Sequence, residues 1–183
     1  MGYVVKKFFL FLILLAPLFY MLIRLFYGVN DPIKFIYTYT GFSTLSFLFL
    51  TLLTAPLKKF INFTKFRRIL GLVTFFYAFL HFLTFAVLDS SLDVWYVLNE
   101  TVEKPFIYLG MASFFILFLL AVTSTTKLFV KYKNLHKLVY VAIILGVIHE
   151  VMAQKVLTLL EYGFMTLVCY LVFARVFLKR SRF

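Results

Sequence analysis

The chain has 183 residues, 64% of them hydrophobic, with a formal net charge of +12 and a mean hydropathy of +1.01. Soluble domains are about half apolar, so this composition excludes an ordinary water-soluble domain and points to a lipid bilayer. The basic residues sit in short breaks between apolar runs, which excludes a nucleic-acid surface, and the single cysteine, Cys169, excludes an internal disulfide or a cysteine-held iron–sulfur cluster.

A hydrocarbon core of about 30 Å needs roughly 20 apolar residues per helix. The first such run covers about 8–27. It follows Lys6-Lys7 as a signal peptide would, but no small-residue cleavage site comes after it. A retained helix is expected there, kinked at Pro17. Gly28 to Pro32 breaks the chain before a second run at about 42–60. A basic stretch ending in Arg67-Arg68 precedes the third, at about 69–88. The break from Asp89 to Lys104 is acidic and carries Trp95 and Tyr96, residues suited to a membrane interface. Pro105 opens the fourth run, about 105–123, at a favourable first helical position. A basic loop from Lys127 to Asn134 leads to the fifth run, about 135–152, and the sixth follows at about 158–178. The expected fold is all-α: a single polytopic domain, residues 1–183, of six transmembrane helices.

Charge alternates along these breaks. The N-terminus, the second and fourth breaks and the C-terminus hold most of the 19 basic residues and no acid. The other side holds all seven acids: Asp31, Asp89, Asp93, Glu100, Glu103, Glu150 and Glu161. By the positive-inside rule the basic side faces the cytoplasm, which puts both termini there.

The chain has three histidines, all within or at the ends of apolar runs, and an ionisable side chain at membrane depth marks a functional site. Arg68 to His81 and His136 to His149 are equal separations, about 20 Å at 1.5 Å per helical residue. Both helices run in the same direction. His81 and His149 should therefore share one depth, and Arg67, Arg68 and His136 another. Two neutral imidazoles at equal depth can ligate a heme iron axially. A flat heme needs small residues around it, and Gly71, Thr74, Ala78 and His81 form a stripe at helical spacing, with Ala142 and Gly146 before His149. The plainer alternatives are a histidine bonded to a neighbouring carbonyl and ordinary small-residue helix packing. Zinc would want three or four clustered ligands, and no Cys-x-x-Cys-His motif for covalent heme exists. On an ideal helix His136 and His149 do not share a face. His136 stays open as an iron ligand of a second heme near Arg67 or Arg68, a proton or quinone contact, or an interfacial histidine among lysines.

Several stretches together resemble one known family. They are Asp31-Pro32; Thr40-Gly41 leading to Leu53-Thr54-Ala55-Pro56-Leu57; Arg67-Arg68-Ile69-Leu70-Gly71 through Tyr77-Ala78-Phe79-Leu80-His81; Lys104-Pro105-Phe106 with Gly110; Thr123-Ser124-Thr125; and Leu135-His136 through Ile148-His149. In this order they are similar to the YedZ/MsrQ family of heme-binding membrane subunits, within the ferric-reductase-like transmembrane superfamily. The resemblance implies heme b with His81 and His149 as axial iron ligands and His136 as a further heme-linked residue. It implies a place in the bacterial inner membrane, with quinol as electron donor and a periplasmic molybdopterin-containing methionine-sulfoxide reductase as partner. Catalysis on methionine sulfoxide is then expected on that partner chain. Family members are also described as flavoproteins carrying FMN, for which no residue here offers a placement. The sequence departs from the family at Glu150, where an aromatic residue is usual, and at Tyr132, where tryptophan is expected. No dinucleotide fingerprint follows the sixth run, so reductant is expected from the membrane or another protein. The alternative function is a self-contained transmembrane oxidoreductase that reduces ferric iron or oxygen.

Overall fold

The second helix starts well before the apolar run does. Asp31 adopts extended backbone and its carboxylate accepts from the Lys34 amide at 3.0 Å, while Pro32 occupies the first helical turn, where its missing N–H costs nothing. The helix α2 then covers Pro32–Leu53, not the expected 42–60. Hydropathy misses its first turns because Lys34, Tyr37, Thr38 and Gly41 line an internal cavity and need not be apolar. It stops at Leu53 because the residue before Pro56 is pushed out of helical backbone.

The computed structural model describes residues 2–59 and 64–180, with side chains described for 8–57 and 65–173. Phe60, the expected end of the second run, lies outside the described residues, as do the side chains of Lys6, Lys7, Lys58, Lys59, Arg175, Lys179, Arg180 and Arg182. The other elements are α1 (Gly2–Phe26), α3 (Arg67–Leu83), α4 (Val94–Glu103), α5 (Pro105–Val122), α6 (Thr126–Lys131), α7 (Val139–Ala153) and α8 (Leu159–Arg180). A wider π-helical segment, Thr84–Asp89, continues α3, and a 3-10 turn, Leu135–Leu138, leads into α7. The two breaks expected to be loops therefore contain the short helices α4 and α6. Among the described residues five stretches are long and apolar enough to cross a membrane: Phe8–Phe26, Pro32–Leu53, Arg67–Asp89, Pro105–Val122 and Leu135–Ala153. Helix α8, with 22 residues, supplies the sixth long helix and is apolar over Leu159–Phe173.

Four helices form the centre. Packing runs α2 on α3, α3 on α5, α5 on α7 and α7 back on α2, so α3 and α7 stand at opposite corners. Leu48, Leu52, Ala78, Leu117, Ala142 and Ile143 fill the shared core. In α2, the hydroxyls of Thr40, Ser43, Thr44 and Thr51 each donate to a carbonyl one turn earlier, which pairs these polar groups within an apolar setting. Helix α8 joins through Leu171 and through Phe164, which stacks on Phe49 at 5.2 Å.

Helix α1 docks by a different device. Pro17 has no N–H, so the backbone ladder is already open there. In the next rung the Tyr77 hydroxyl of α3 enters: it accepts from the Leu18 amide at 3.1 Å and donates to the Leu14 carbonyl at 3.0 Å. One phenol thus satisfies two backbone groups that would otherwise bond each other, and it ties α1 to the centre of the bundle.

Candidate functional site

His81 on α3 and His149 on α7 meet across the bundle. Their ring centres lie 6.1 Å apart, with planes at 83°. Each ring is tethered through Nδ1. His81 Nδ1 lies 3.2 Å from the Tyr37 carbonyl and 3.1 Å from Thr40 Oγ1, whose own proton goes to the Ile36 carbonyl at 2.7 Å. His149 Nδ1 lies 2.6 Å from the Phe106 carbonyl. A carbonyl has no proton to give, so each Nδ1 donates and each Nε2 keeps a bare lone pair. Metal-binding histidines use this arrangement, in which the outer bond sets both tautomer and ring orientation. Imidazole nitrogens bind first-row metals at about 2 Å, so one ion shared by two such rings places their centres about 6 Å apart, as observed here.

Two glycines leave room for the rings. A Cβ at Gly110 would lie 2.8 Å from Cε1 and Nδ1 of His149, and one at Gly41 would lie 3.1 Å from Cε1 of His81. Each glycine sits one helical turn after the carbonyl that tethers the ring. The local sequences match: Tyr37-Thr38-Tyr39-Thr40-Gly41 on α2 and Phe106-Ile107-Tyr108-Leu109-Gly110 on α5. That repeated aromatic-x-Tyr-x-Gly pattern is the signal by which Tyr37, Gly41, Phe106 and Gly110 are recognisable in the sequence; they were not among the expected site residues.

The paired rings line a cavity of about 530 Å³ at the acidic end of the bundle, within the range of about 300–1,000 Å³ common for cofactor sites. Phe82, Phe106 and Phe114 give it aromatic walls, and Ala78 and Gly146 line it as the small-residue reading expects. Lys34 and Lys104 line it with Asp89, Glu100 and Glu150. Lys104 pairs with Glu100 at 2.5 Å, and that carboxylate raises the lysine above its ordinary range. Glu150, the departure noted in the sequence, accepts from Gln154 at 2.8 Å.

A second cavity of about 480 Å³ lies at the basic end. Arg67, Arg68, Lys133 and Lys137 line it with His136, and no acid does among the described residues. Gly71 and Thr74 belong here and not beside His81, so the stripe on α3 divides between two cavities. Its four residues span more of the helix than one flat ligand covers. Leu48 and Leu117 line both cavities and separate them. His136 Nε2 lies 3.3 Å from Thr123 Oγ1, and its ring stands edge-on to Phe129 at 4.7 Å. The Thr123 proton goes to the Leu119 carbonyl at 2.7 Å, so Nε2 of His136 is the donor. The 3-10 turn at Leu135–Leu138 removes the ideal-helix phase between His136 and His149, and the structure does not bring these two together.

Residues 39–147 match the family described as ferric reductase like transmembrane component. The chain is similar to the protein-methionine-sulfoxide reductase heme-binding subunit MsrQ of Brucella anthropi, 42% identical over 131 residues that make up 68% of this chain and 60% of the relative. The proteins of the same name from Brucella ovis and Brucella canis are 40% identical over the same coverage. The matched stretch is thus about 60% of the length of these relatives. No solved structure matches the chain.

Proposed function

The chain belongs to the ferric-reductase-like transmembrane family, in its YedZ/MsrQ branch, and from that membership we propose that it is a heme b subunit moving electrons from membrane quinol to a methionine-sulfoxide reductase. The observation that carries this reading is the pair of carbonyl-tethered imidazoles, 6.1 Å apart at opposite corners of the bundle. His81 and His149 would hold the iron through Nε2. When bound, heme supplies a one-electron couple set by its axial ligands and surroundings. The chain's own groups do the rest. The Tyr37 and Phe106 carbonyls keep both rings oriented, the phenylalanine walls exclude water, and Lys34 offers a cation to the heme carboxylates.

The basic-end cavity is the place we propose for the donor. Its four cations and His136 suit an acidic or hydrogen-bonding head group, and Leu48 and Leu117 line both this cavity and the acidic-end one. An FMN, which the family resemblance also implies, would find phosphate partners in the same cavity. Residues 1–183 act as one membrane domain in this reading. The basic end faces the cytoplasm of a bacterial inner membrane, and the acidic end faces a periplasmic molybdopterin-containing partner on which methionine sulfoxide is reduced.

The test is an absorbance spectrum of the purified protein, oxidised and then reduced with dithionite. A low-spin b-type spectrum is expected, and His81→Ala or His149→Ala should each remove most of it. Unaltered spectra in both variants would sink the reading. Rapid reduction of a ferric chelate with no partner present would support a self-contained oxidoreductase instead.

A further inference from the structure

Helix α4 is too short to cross a membrane: its 10 residues extend about 15 Å. Both of its ends are nevertheless fastened to membrane spans. On one side the turn after Asp89 is held by bonds from the Ser90 amide to the Phe85 carbonyl, 2.9 Å, and from the Leu92 amide to the Ala86 carbonyl, 2.8 Å. Ser91 and Leu92 take left-handed backbone there, φ 49° and 64°, a costly conformation for side-chain-bearing residues. Asp93 then caps the helix, accepting from the Trp95 and Tyr96 amides at 2.9 and 3.1 Å. On the other side Lys104 passes straight into Pro105, the first residue of α5. The helix is therefore pinned at the depth where two spans leave the membrane.

Its two faces differ. Val94, Trp95, Leu98 and Val102 form one contiguous arc at helical spacing and are 66%, 76%, 50% and 81% exposed. On the other side Tyr96 and Glu100 line the acidic-end cavity. Close by in the chain the spans also leave apolar residues bare, namely Val87 and Leu88 before the turn and Tyr108 near the start of α5. We propose that α4 lies in the plane of the membrane surface, with its Val94, Trp95, Leu98 and Val102 face sunk into the headgroup–acyl boundary of the lipid and its Tyr96 and Glu100 face forming the rim of the cavity. The occupant of the apolar face is lipid because both tethers fix the helix at that depth and the face continues the lipid-exposed surface of the spans. Tryptophan at this boundary serves as an anchor. This inference rests on the membrane spans and is independent of the heme reading.

Trp95 is the chain's single tryptophan, so its fluorescence reports on α4 without any substitution. The full chain would be placed in phosphatidylcholine vesicles made with plain lipid or with lipid brominated at shallow or deep acyl positions. Each signal is divided by that of the same protein in plain lipid. A face buried ~5–10 Å below the surface predicts roughly two-fold quenching by the shallow bromolipid, less by the deep one, and little by aqueous iodide. Full iodide quenching with no bromolipid effect would overturn the inference, and protection from iodide appearing only with an added soluble reductase would reassign the face to a protein partner. Leu98→Glu with Val102→Glu, checked for unaltered helical circular dichroism, should abolish the bromolipid quenching; its persistence would equally overturn the inference.

Discussion

The two cavities share Leu48 and Leu117 as a common wall, yet they hold their histidines in opposite ways. At the acidic end two rings are each fixed by a backbone carbonyl, and a glycine one turn later leaves space for each. A carbonyl in a helix is rigid and accepts only, so it sets tautomer and orientation together. At the basic end one ring meets a threonine hydroxyl and shares its cavity with the long cationic side chains of Arg67, Arg68, Lys133 and Lys137. The first arrangement suits a metal that demands fixed geometry. The second suits an anionic or hydrogen-bonding group that tolerates adjustment. Preorganisation is thus concentrated where the proposed ligand is stiff.

The glycines break this comparison most directly. Gly110→Ala would put a methyl 2.8 Å from His149, and we expect it to remove most of the low-spin heme absorbance. Gly41→Ala, at 3.1 Å from His81, should act in the same direction with a smaller loss. Gly71→Ala is the matched control, because its Cβ would meet only Thr51, at 4.0 Å, in ordinary contact. A spectrum unchanged in Gly110→Ala would show that ring placement does not depend on this close approach.

Next in size are the basic-end groups. Arg67→Gln, Arg68→Gln or His136→Ala should keep the absorbance of the paired-histidine site and slow reduction by a quinol analogue, by about ten-fold where a charge-assisted bond is lost. Stopped-flow reduction separates this from heme loss, which a spectrum of the same sample reports. Reduction at the wild-type rate in all three variants would leave the basic residues with the topological role their positions already explain.

A smaller effect is expected at Tyr77, which lies in neither cavity and serves as an outside reference. Tyr77→Phe leaves the Leu18 amide and Leu14 carbonyl free to bond each other again but loses the tie between α1 and α3. A destabilisation of about 1–2 kcal/mol is expected, read as a lower thermal midpoint or faster proteolysis at α1, with the heme spectrum intact. No change in either would mean that the apolar cluster of Leu14, Phe47, Leu70 and Val73 holds α1 by itself.

How much of this was legible in the sequence varies by element. The runs at about 69–88, 105–123 and 135–152 matched their helices closely, because residues facing lipid or core must be apolar over a bilayer's thickness. The second run was shifted because α2 spends its first turns on a cavity wall, where Lys34, Tyr37 and Thr38 replace apolar residues. The common depth of His81 and His149 was readable from equal spacings on two helices running the same way, whereas their meeting at 6.1 Å depends on how the helices pack. Their tethers were not, because a backbone carbonyl leaves no mark in a residue's identity.

By itself the sequence determined the number of long helices, which ends are basic and acidic, and which histidines share a depth. Each of these depends on hydropathy, charge or rise per residue, all local properties. Only the tertiary structure decided which nitrogen of each ring is free, that Gly41 and Gly110 back the rings, and that Gly71 and Thr74 line a different cavity from Ala78 and His81. Those depend on the rotation and packing of α2, α3, α5 and α7 about one another, and rotation about a helix axis is set by the neighbours a helix meets.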